Sequence, residues 1–132
     1  MKRLCALLLT TLAFSNANAA CSAATMKGAW GIRTFSVING SFYSSVNIYT
    51  FNSAAKTFKA VGKGSTTGSS PVSGTASGTY SLAASCMGTL SGINNVGTNF
   101  AANFVISEGG QTIDGEAHSP TKLTITMTGH KL

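Results

Sequence analysis

Two short segments and the turn between them set the architecture of this chain: NFAANFVISEGGQTIDGEAH, residues 99–118. Apolar side chains occupy every second position from Phe100 to Ile106, which is the period of a strand with one buried face. After the glycine-containing turn at residues 108–110, small and apolar residues alternate with polar ones from Ile113 to Ala117. Because a turn this short joins antiparallel neighbours, the stretch predicts a β-hairpin with one face turned towards a core.

The same strand pattern recurs on both sides of this hairpin. Towards the C terminus, Leu123, Ile125 and Met127 alternate with threonines. Towards the N terminus, Asn39 and Gly40 separate two apolar pairs, and both residues tolerate the positive φ of a two-residue hairpin turn. Strands are predicted at residues 30–38, 42–51, 57–63, 76–82, 87–93, 99–107, 111–117 and 122–130.

These strands and their short connections predict an all-β fold, a single antiparallel eight-stranded up-and-down barrel, or meander barrel. Closure into a barrel removes exposed sheet edges. One connection is long: residues 64–75 are rich in Gly and Ser and are expected to form a mobile surface loop at the rim of the barrel. An eight-stranded barrel is either filled by side chains or holds one small ligand, and the pattern leaves both open. Glycines inside the strands suit a strongly coiled barrel: Gly78, Gly88, Gly92, Gly115 and Gly129.

The N-terminal segment has the organisation of a secretory signal peptide. Lys2 and Arg3 precede an apolar run from Leu4 to Phe14, and residues 17–19 (ANA) end the segment with small side chains at the cleavage positions. The run has about eleven residues, whereas a membrane span needs about twenty. We therefore expect residues 1–19 to be removed, and the exported protein, periplasmic or extracellular, to be one barrel domain at residues 20–132.

Cleavage would leave two of the three cysteines, Cys21 and Cys86. In an oxidising compartment, an even pair predicts a disulfide, which would close a loop of about 65 residues. Two alternatives stay open. Cys21 follows the signal peptide closely enough to be the lipid-carrying first residue of a bacterial lipoprotein, which would leave Cys86 as a lone thiol; or both cysteines stay unpaired.

The charge balance argues against a nucleic-acid partner. The full chain has nine basic and three acidic residues, and loss of Lys2 and Arg3 reduces its net charge from +6 to +4. Apart from Lys56, Lys59 and Lys63, the remaining basic residues are scattered. Nucleic-acid binding uses a concentrated basic face with aromatic platforms, so the basic group is expected to be a solvated hairpin.

The candidates for site chemistry are Asp114, Glu116 and His118. Their spacing of two puts all three on one face of a strand, where two carboxylates and an imidazole could bind a metal or orient the histidine as a general base. The opposite face, at Ile113 and Ala117, is typical of a core, so the simplest interpretation is a solvated outer face. We therefore predict no catalytic residue, metal or cofactor, and assign no ligand-binding residue.

Three short motifs together resemble a known pattern. The motifs GTY at residues 78–80, C-x-GTL at residues 86–90 and EGG at residues 108–110 resemble those of small secreted bacterial proteins of unknown function. The resemblance implies a bacterial source and an eight-stranded barrel similar to calycin or allene-oxide-cyclase barrels, and it implies no activity. The turn after His118 departs from the Asp-Pro usual in that pattern, so no functional residue is carried over there.

Three functions are compatible with these features. The favoured one is a binding module that takes a small apolar ligand or a protein partner through the mouth or loops of the barrel. The second is an envelope or extracellular interaction protein with a filled core. The third, ranked last, is a cyclase-like or isomerase-like enzyme that shapes its substrate in an apolar cavity.

Overall fold

The computed structural model describes residues 20–38, 40–107, 109–118 and 124–132. Several predicted features lie outside these ranges: the signal peptide at residues 1–19, the turn residues 39, 108 and 119–120, and the first two residues of the last predicted strand. In the described ranges, the elements are α1 (Ala23–Met26), β1 (Gly28–Ile38), β2 (Ser41–Asn52), β3 (Thr57–Thr66), β4 (Val72–Leu82), β5 (Met87–Asn94), β6 (Asn99–Ser107), β7 (Thr112–His118) and β8 (Thr124–Lys131).

The strands close into a barrel. Each strand pairs antiparallel with the next. The barrel closes because β8 also pairs antiparallel with β1, with Trp30 opposite Lys131 and Phe35 opposite Thr126. The predicted fold class, an all-β eight-stranded up-and-down barrel, is therefore confirmed. The four-residue helix α1 was not predicted, because a single helical turn leaves no periodic signal in the sequence.

Two connections at one end of the barrel test the turn predictions. Ile38 pairs with Ser41, and Gly40 has a φ of +78°, so β1 and β2 form the predicted two-residue hairpin. The predicted long loop at residues 64–75 is wrong. Strands β3 and β4 continue through most of it, leaving residues 67–71 as the connection. The backbone hydrogen bonds of a ladder need no side chain, so glycines and serines can extend these strands.

Glycines inside the strands allow neighbouring backbones to come close together. A Cβ at Gly78 would lie 2.6 Å from the Cα of Gly92, and a Cβ at Gly115 would lie 2.9 Å from the Cα of Phe104. Real Cβ atoms do not approach other atoms so closely. The predicted role of these glycines in a strongly coiled barrel is therefore confirmed.

One end of the barrel is sealed by residues 21–27, which we call the plug. Met26 is fully buried, and its carbonyl accepts a hydrogen bond of 3.0 Å from the indole N–H of Trp30. Lys131 Nζ donates to the carbonyl of Thr25 at 3.1 Å and lies 5.9 Å from the centre of the Trp30 ring. Above the plug, the interior is filled by Ile32, Phe51, Phe58, Tyr80, Leu90, Phe104, Ile106 and Ile113.

A disulfide between Cys21 and Cys86 ties the plug to the turn between β4 and β5. The Cys21 N–H also donates to the carbonyl of Ala84 at 3.2 Å, and the Tyr80 hydroxyl donates to the carbonyl of Ala23 at 3.2 Å. The predicted pairing is therefore confirmed. Such a bond is typical of proteins in oxidising, exported environments, and its sulfur cannot also carry a thioether-linked lipid.

Helical structure in the described ranges is confined to short segments. None of it reaches the length and hydropathy of a membrane span.

Candidate ligand-binding site

The end of the barrel opposite the plug is hollow. A cavity of about 490 Å³, which we call the cup, opens there and is lined by inward-facing residues of the strands and by the turn between β5 and β6. This volume lies in the range of roughly 300–1,000 Å³ that is usual for small-molecule sites. The interior is therefore filled near the plug and empty near the mouth.

One wall of the cup is polar and is built by β1 and β2. The hydroxyl oxygens of Thr34 and Ser45 lie 2.6 Å apart, and Asn47 Nδ2 donates to Ser45 Oγ at 2.6 Å. Ser45 is only 6% exposed. The three side chains meet because Thr34 pairs directly with Ser45, and Asn47 follows two residues later on the same inner face of β2.

Two tyrosines of β2 extend this polar wall, Tyr49 towards the floor and Tyr43 towards the mouth. Tyr49 is 9% exposed, and its hydroxyl has no hydrogen-bond partner in the described part of the structure. No enclosed polar side-chain atom lacks a partner there, so the Tyr49 hydroxyl must open into the cup. Burial, followed by the neighbouring Tyr43, raises the pKa of Tyr49 to about 12. The hydroxyl therefore stays protonated, and a hydrogen-bond donor, at neutral pH.

A second wall of the cup, from β3 and β4, consists of small residues. They are Ala60, Gly62, Gly64, Gly74 and Ala76. At Gly62, a Cβ would lie 2.8 Å from the Cα of Asn47, so no larger residue fits. At Gly74, the nearest atom to a Cβ is Asn95 Oδ1 at 3.5 Å, so there is room on the cup side. Side chains of β2, Asn47 over Gly62 and Tyr43 over Gly64, cover the other two glycines, so the backbone of this wall is open to the cavity at Gly74.

The remaining wall is apolar, and so is part of the rim. The wall residues are Phe100, Ala102, Ala117, Ile125 and Met127. At the mouth, Val72 and Val96 are 70% and 76% exposed. The turn that carries Val96 is fixed to β4, because Asn95 Oδ1 accepts from the Thr75 N–H at 3.1 Å and the Asn95 N–H donates to the Thr75 carbonyl at 2.9 Å.

The sequence-predicted candidates lie elsewhere. Asp114, Glu116 and His118 are exposed on the outer face of β7, with His118 nearest the mouth. In the described part of the chain, no three His, Cys, Asp or Glu side chains are grouped closely enough to hold a metal ion. The structure therefore places Asp114 and Glu116 outside the cup, and His118 at its rim.

The outer wall has a furrow and an apolar patch of its own. The furrow, of about 840 Å³, is lined by residues of β1, β2, β6, β7 and β8, among them Asp114 and Glu116. Beside it, Phe35 and Phe42 place their ring centres 5.8 Å apart. The side chains that we call the outer apolar patch are 46% to 59% exposed: Phe35, Phe42, Val46, Ile48 and Val61.

Sequence reasoning assigned none of the residues of this polar wall to a ligand-binding site. A signal was present: Tyr43, Ser45, Asn47 and Tyr49 occupy alternate positions of one strand, which puts them on a single face. Without the structure, this face looks like the outer one, because the alternate residues include Phe42, Val46 and Ile48.

Comparison with known proteins supports the fold. No protein-family model matches the chain, and no curated protein matches it. A structure of EF1p2_mFAP2b bound to DFHBI superposes with a TM-score of 0.61 at 12% identity, covering 84% of this chain and 97% of that one. A redesigned β-barrel, mFAP1, bound to DFHBI, gives 0.60 at 12% identity, with 83% and 98% covered. A de novo designed fluorescence-activating β-barrel gives 0.57 at 14% identity, with 83% and 96% covered. At such identities the likeness concerns the fold alone, and the chain is an eight-stranded β-barrel similar in fold to these designed barrels.

Proposed function

We propose that this protein is an exported binding module that holds one small molecule in the cup. The observation that carries the proposal is the Tyr49 hydroxyl, which has no partner among the described residues and opens into a cavity of ligand size. A donor that faces such a cavity is left to water, and a ligand oxygen that accepts its hydrogen bond takes the place of that water. Two of the barrels of similar fold are bound to DFHBI, which makes ligand binding at such a site reasonable.

The chemistry of the cup favours binding over catalysis. A general acid or base works best when its pKa is near the operating pH. Tyr49, with a pKa of about 12, is far from neutrality and serves instead as a fixed donor.

The proposed location is the periplasm or the extracellular medium. The signal-peptide pattern at residues 1–19 and the disulfide between Cys21 and Cys86 both support export. We include in the proposal the likeness to small secreted bacterial barrels of calycin or allene-oxide-cyclase type, which rests on the GTY, C-x-GTL and EGG motifs.

A dye titration tests whether the cup binds. N-phenyl-1-naphthylamine is uncharged, and its emission rises in apolar surroundings. We expect saturable binding of one dye molecule per protein. Gly74→Leu, which grows a side chain into the cup, should abolish the emission rise, whereas Ser77→Leu, on the outer face of the same strand and outside the cup lining, should leave it unchanged.

Two outcomes would overturn the proposed site. Absence of any saturable emission rise with the wild-type protein would show that the cup does not take a small apolar molecule. A rise that survives Gly74→Leu would place the dye outside the cup, and its loss in Ser77→Leu would place it on the outer wall. Circular dichroism spectra of both variants should match the wild type, which checks that the barrel is intact.

The outer apolar patch favours a second candidate function, an envelope or extracellular interaction protein. Exposed apolar side chains that are contiguous on one wall often mark protein contacts. A photo-crosslinking residue at Ile48 should give one discrete adduct in cells that produce the protein, and the same residue at Thr79, outside β4, should give none. Equal labelling at both positions, or none at Ile48, would remove this candidate.

A further inference from the structure

We infer that the ligand of the cup is an uncharged, flat ring compound with a carbonyl-type oxygen, which accepts hydrogen bonds from Tyr49 and from the Thr34–Ser45 hydroxyl pair. This inference rests on the proposed binding function and names the class of molecule that the same site takes. Three features carry it: the donors left free in the polar wall, the absence of charged side chains among the described cup residues, and the flat wall of small residues.

A count of hydrogen atoms shows that the polar wall has donors to spare. Thr34 and Ser45 each have one hydroxyl hydrogen, and the bond between them uses one. Ser45 Oγ already accepts from Asn47 Nδ2, and no described residue accepts the second hydroxyl hydrogen. With the Tyr49 hydroxyl, the cup therefore offers at least two unused O–H donors, and an oxygen acceptor on the ligand would satisfy them.

The charge of the cup argues for a neutral ligand. Its described lining residues include no Asp, Glu, Lys or Arg, and the one histidine, His118, is exposed on the rim side of β7. A charged group enclosed without a partner of opposite charge is costly, whereas a neutral carbonyl needs only a hydrogen bond. A carboxylate ligand would find donors in the cup but no Lys or Arg among its described lining residues, so a neutral acceptor suits the cup better.

The shape of the cup argues for a flat ring. At Gly74 the backbone of β4 faces the cup, and the only atom within 4 Å of a Cβ placed there would be Asn95 Oδ1, at 3.5 Å. On the apolar wall, Phe100 and Met127 supply apolar contacts. A planar ring that lies against the open wall at Gly74 meets no projecting side chain there, and its other face is available to the apolar wall.

Three probes that share one ring system test the ligand class. They are 2-acetonaphthone, a neutral ketone; 2-isopropylnaphthalene, a hydrocarbon of nearly the same shape; and 2-naphthoate, an anion. Isothermal titration calorimetry with the wild-type protein should give the ketone an affinity about fivefold to tenfold higher than that of the hydrocarbon, as expected for a net hydrogen bond. The anion should bind more weakly than both.

Two tyrosine variants show whether the gain comes from the cup. Tyr49→Phe keeps the ring and removes the hydroxyl, so it should lower the affinity for the ketone towards that for the hydrocarbon, with the remainder owed to the Thr34–Ser45 pair, and leave the hydrocarbon unchanged. Tyr80→Phe, the matched control, removes a hydroxyl that bonds to Ala23 at the plug end and should change neither affinity. Should Tyr49→Phe fail to fold, the double variant Thr34→Val/Ser45→Ala tests the other donor in the same way.

The outcomes separate the ligand class from the binding function. Equal affinities for the ketone and the hydrocarbon, or tighter binding of the anion, would overturn the ligand class. So would a failure of all three probes to bind. In each case the binding function is judged separately by the dye titration and its Gly74→Leu variant, and it stands if the dye still binds in the cup.

Discussion

Loss of the disulfide should destabilise the protein strongly. The change is the double substitution Cys21→Ala/Cys86→Ala, which leaves no free thiol in the barrel domain. The two cysteines are 65 residues apart, and a crosslink over that distance restricts the unfolded chain by about 4 kcal/mol in the loop-entropy model. For a domain of this size, such a loss lowers the melting temperature by roughly 15–20 °C.

Trp30 provides the assay. It is the single tryptophan of the chain, is fully buried and donates to the plug at Met26, so its emission reports on both global unfolding and release of the plug. Urea titrations followed by this emission and by circular dichroism should give the same loss in the free energy of unfolding. If the plug detaches before the barrel unfolds, the emission transition will come first.

A further variant separates the crosslink from backbone strain. Cys86 has a φ of +66°, a conformation that glycine adopts without a steric penalty. Cys21→Ala/Cys86→Gly should therefore be up to about 1 kcal/mol more stable than the double alanine variant. A double alanine variant within about 1 kcal/mol of the oxidised wild type would refute the loop-entropy reasoning. Treatment of the wild-type protein with reductant should lower its free energy of unfolding by as much as the double alanine substitution does.

Three other sets of substitutions should change the free energy of unfolding, which urea titrations measure. Gly62→Ala should lower the free energy of unfolding by about 1–3 kcal/mol, because it forces β2 and β3 apart, whereas Gly74→Ala should be nearly neutral. Equal losses in the two variants would contradict the difference in the space around the two glycines. The pKa of Tyr49 is about 12 in the folded protein and about 10 in the unfolded chain. As the pH rises, the unfolded chain therefore loses this proton first. The free energy of unfolding should fall between pH 10 and 12, by roughly 2–3 kcal/mol. The Tyr49→Phe variant should not show that part of the loss of stability at alkaline pH. If its stability depends on pH as that of the wild type does, the loss does not come from Tyr49. Tyr80→Phe should cost about 1 kcal/mol by removing the hydrogen bond to Ala23, and no loss would show that this bond is not needed to hold the plug.

The barrel could be predicted from the sequence because its turns and its alternation agree. In β6, the residues from Phe100 to Ile106 that look buried are largely buried, and the predicted bounds match the observed Asn99–Ser107. The extension of β3 and β4 through residues 64–75 could not be predicted in the same way. Composition reports side-chain preferences, and these two strands are held there by backbone pairing, as in the register of Gly62 with Gly74.

The cup was missed because β2 reverses the usual rule for which face is buried. Phe42, Val46 and Ile48 point outwards and are 46% to 59% exposed, while Ser45 is 6% exposed and Asn47 faces the interior. A hydrophobicity pattern assigns faces by polarity, but strand register and barrel closure decide which face is inside. The reversal occurs where the interior is hollow, and side chains that face an open cavity can be polar without burying an unsatisfied group.

The two ends of the barrel therefore have different physical tasks. Near the plug, Trp30, Met26 and the aromatic side chains above them bury apolar surface, and the disulfide adds its restriction of the unfolded chain. Near the mouth, small residues leave contacts unmade, which lowers stability in proportion to the empty volume. A ligand that fills the cup restores those contacts and stabilises the folded state by mass action. Strong packing at one end thus offsets the contacts that are left unmade at the other.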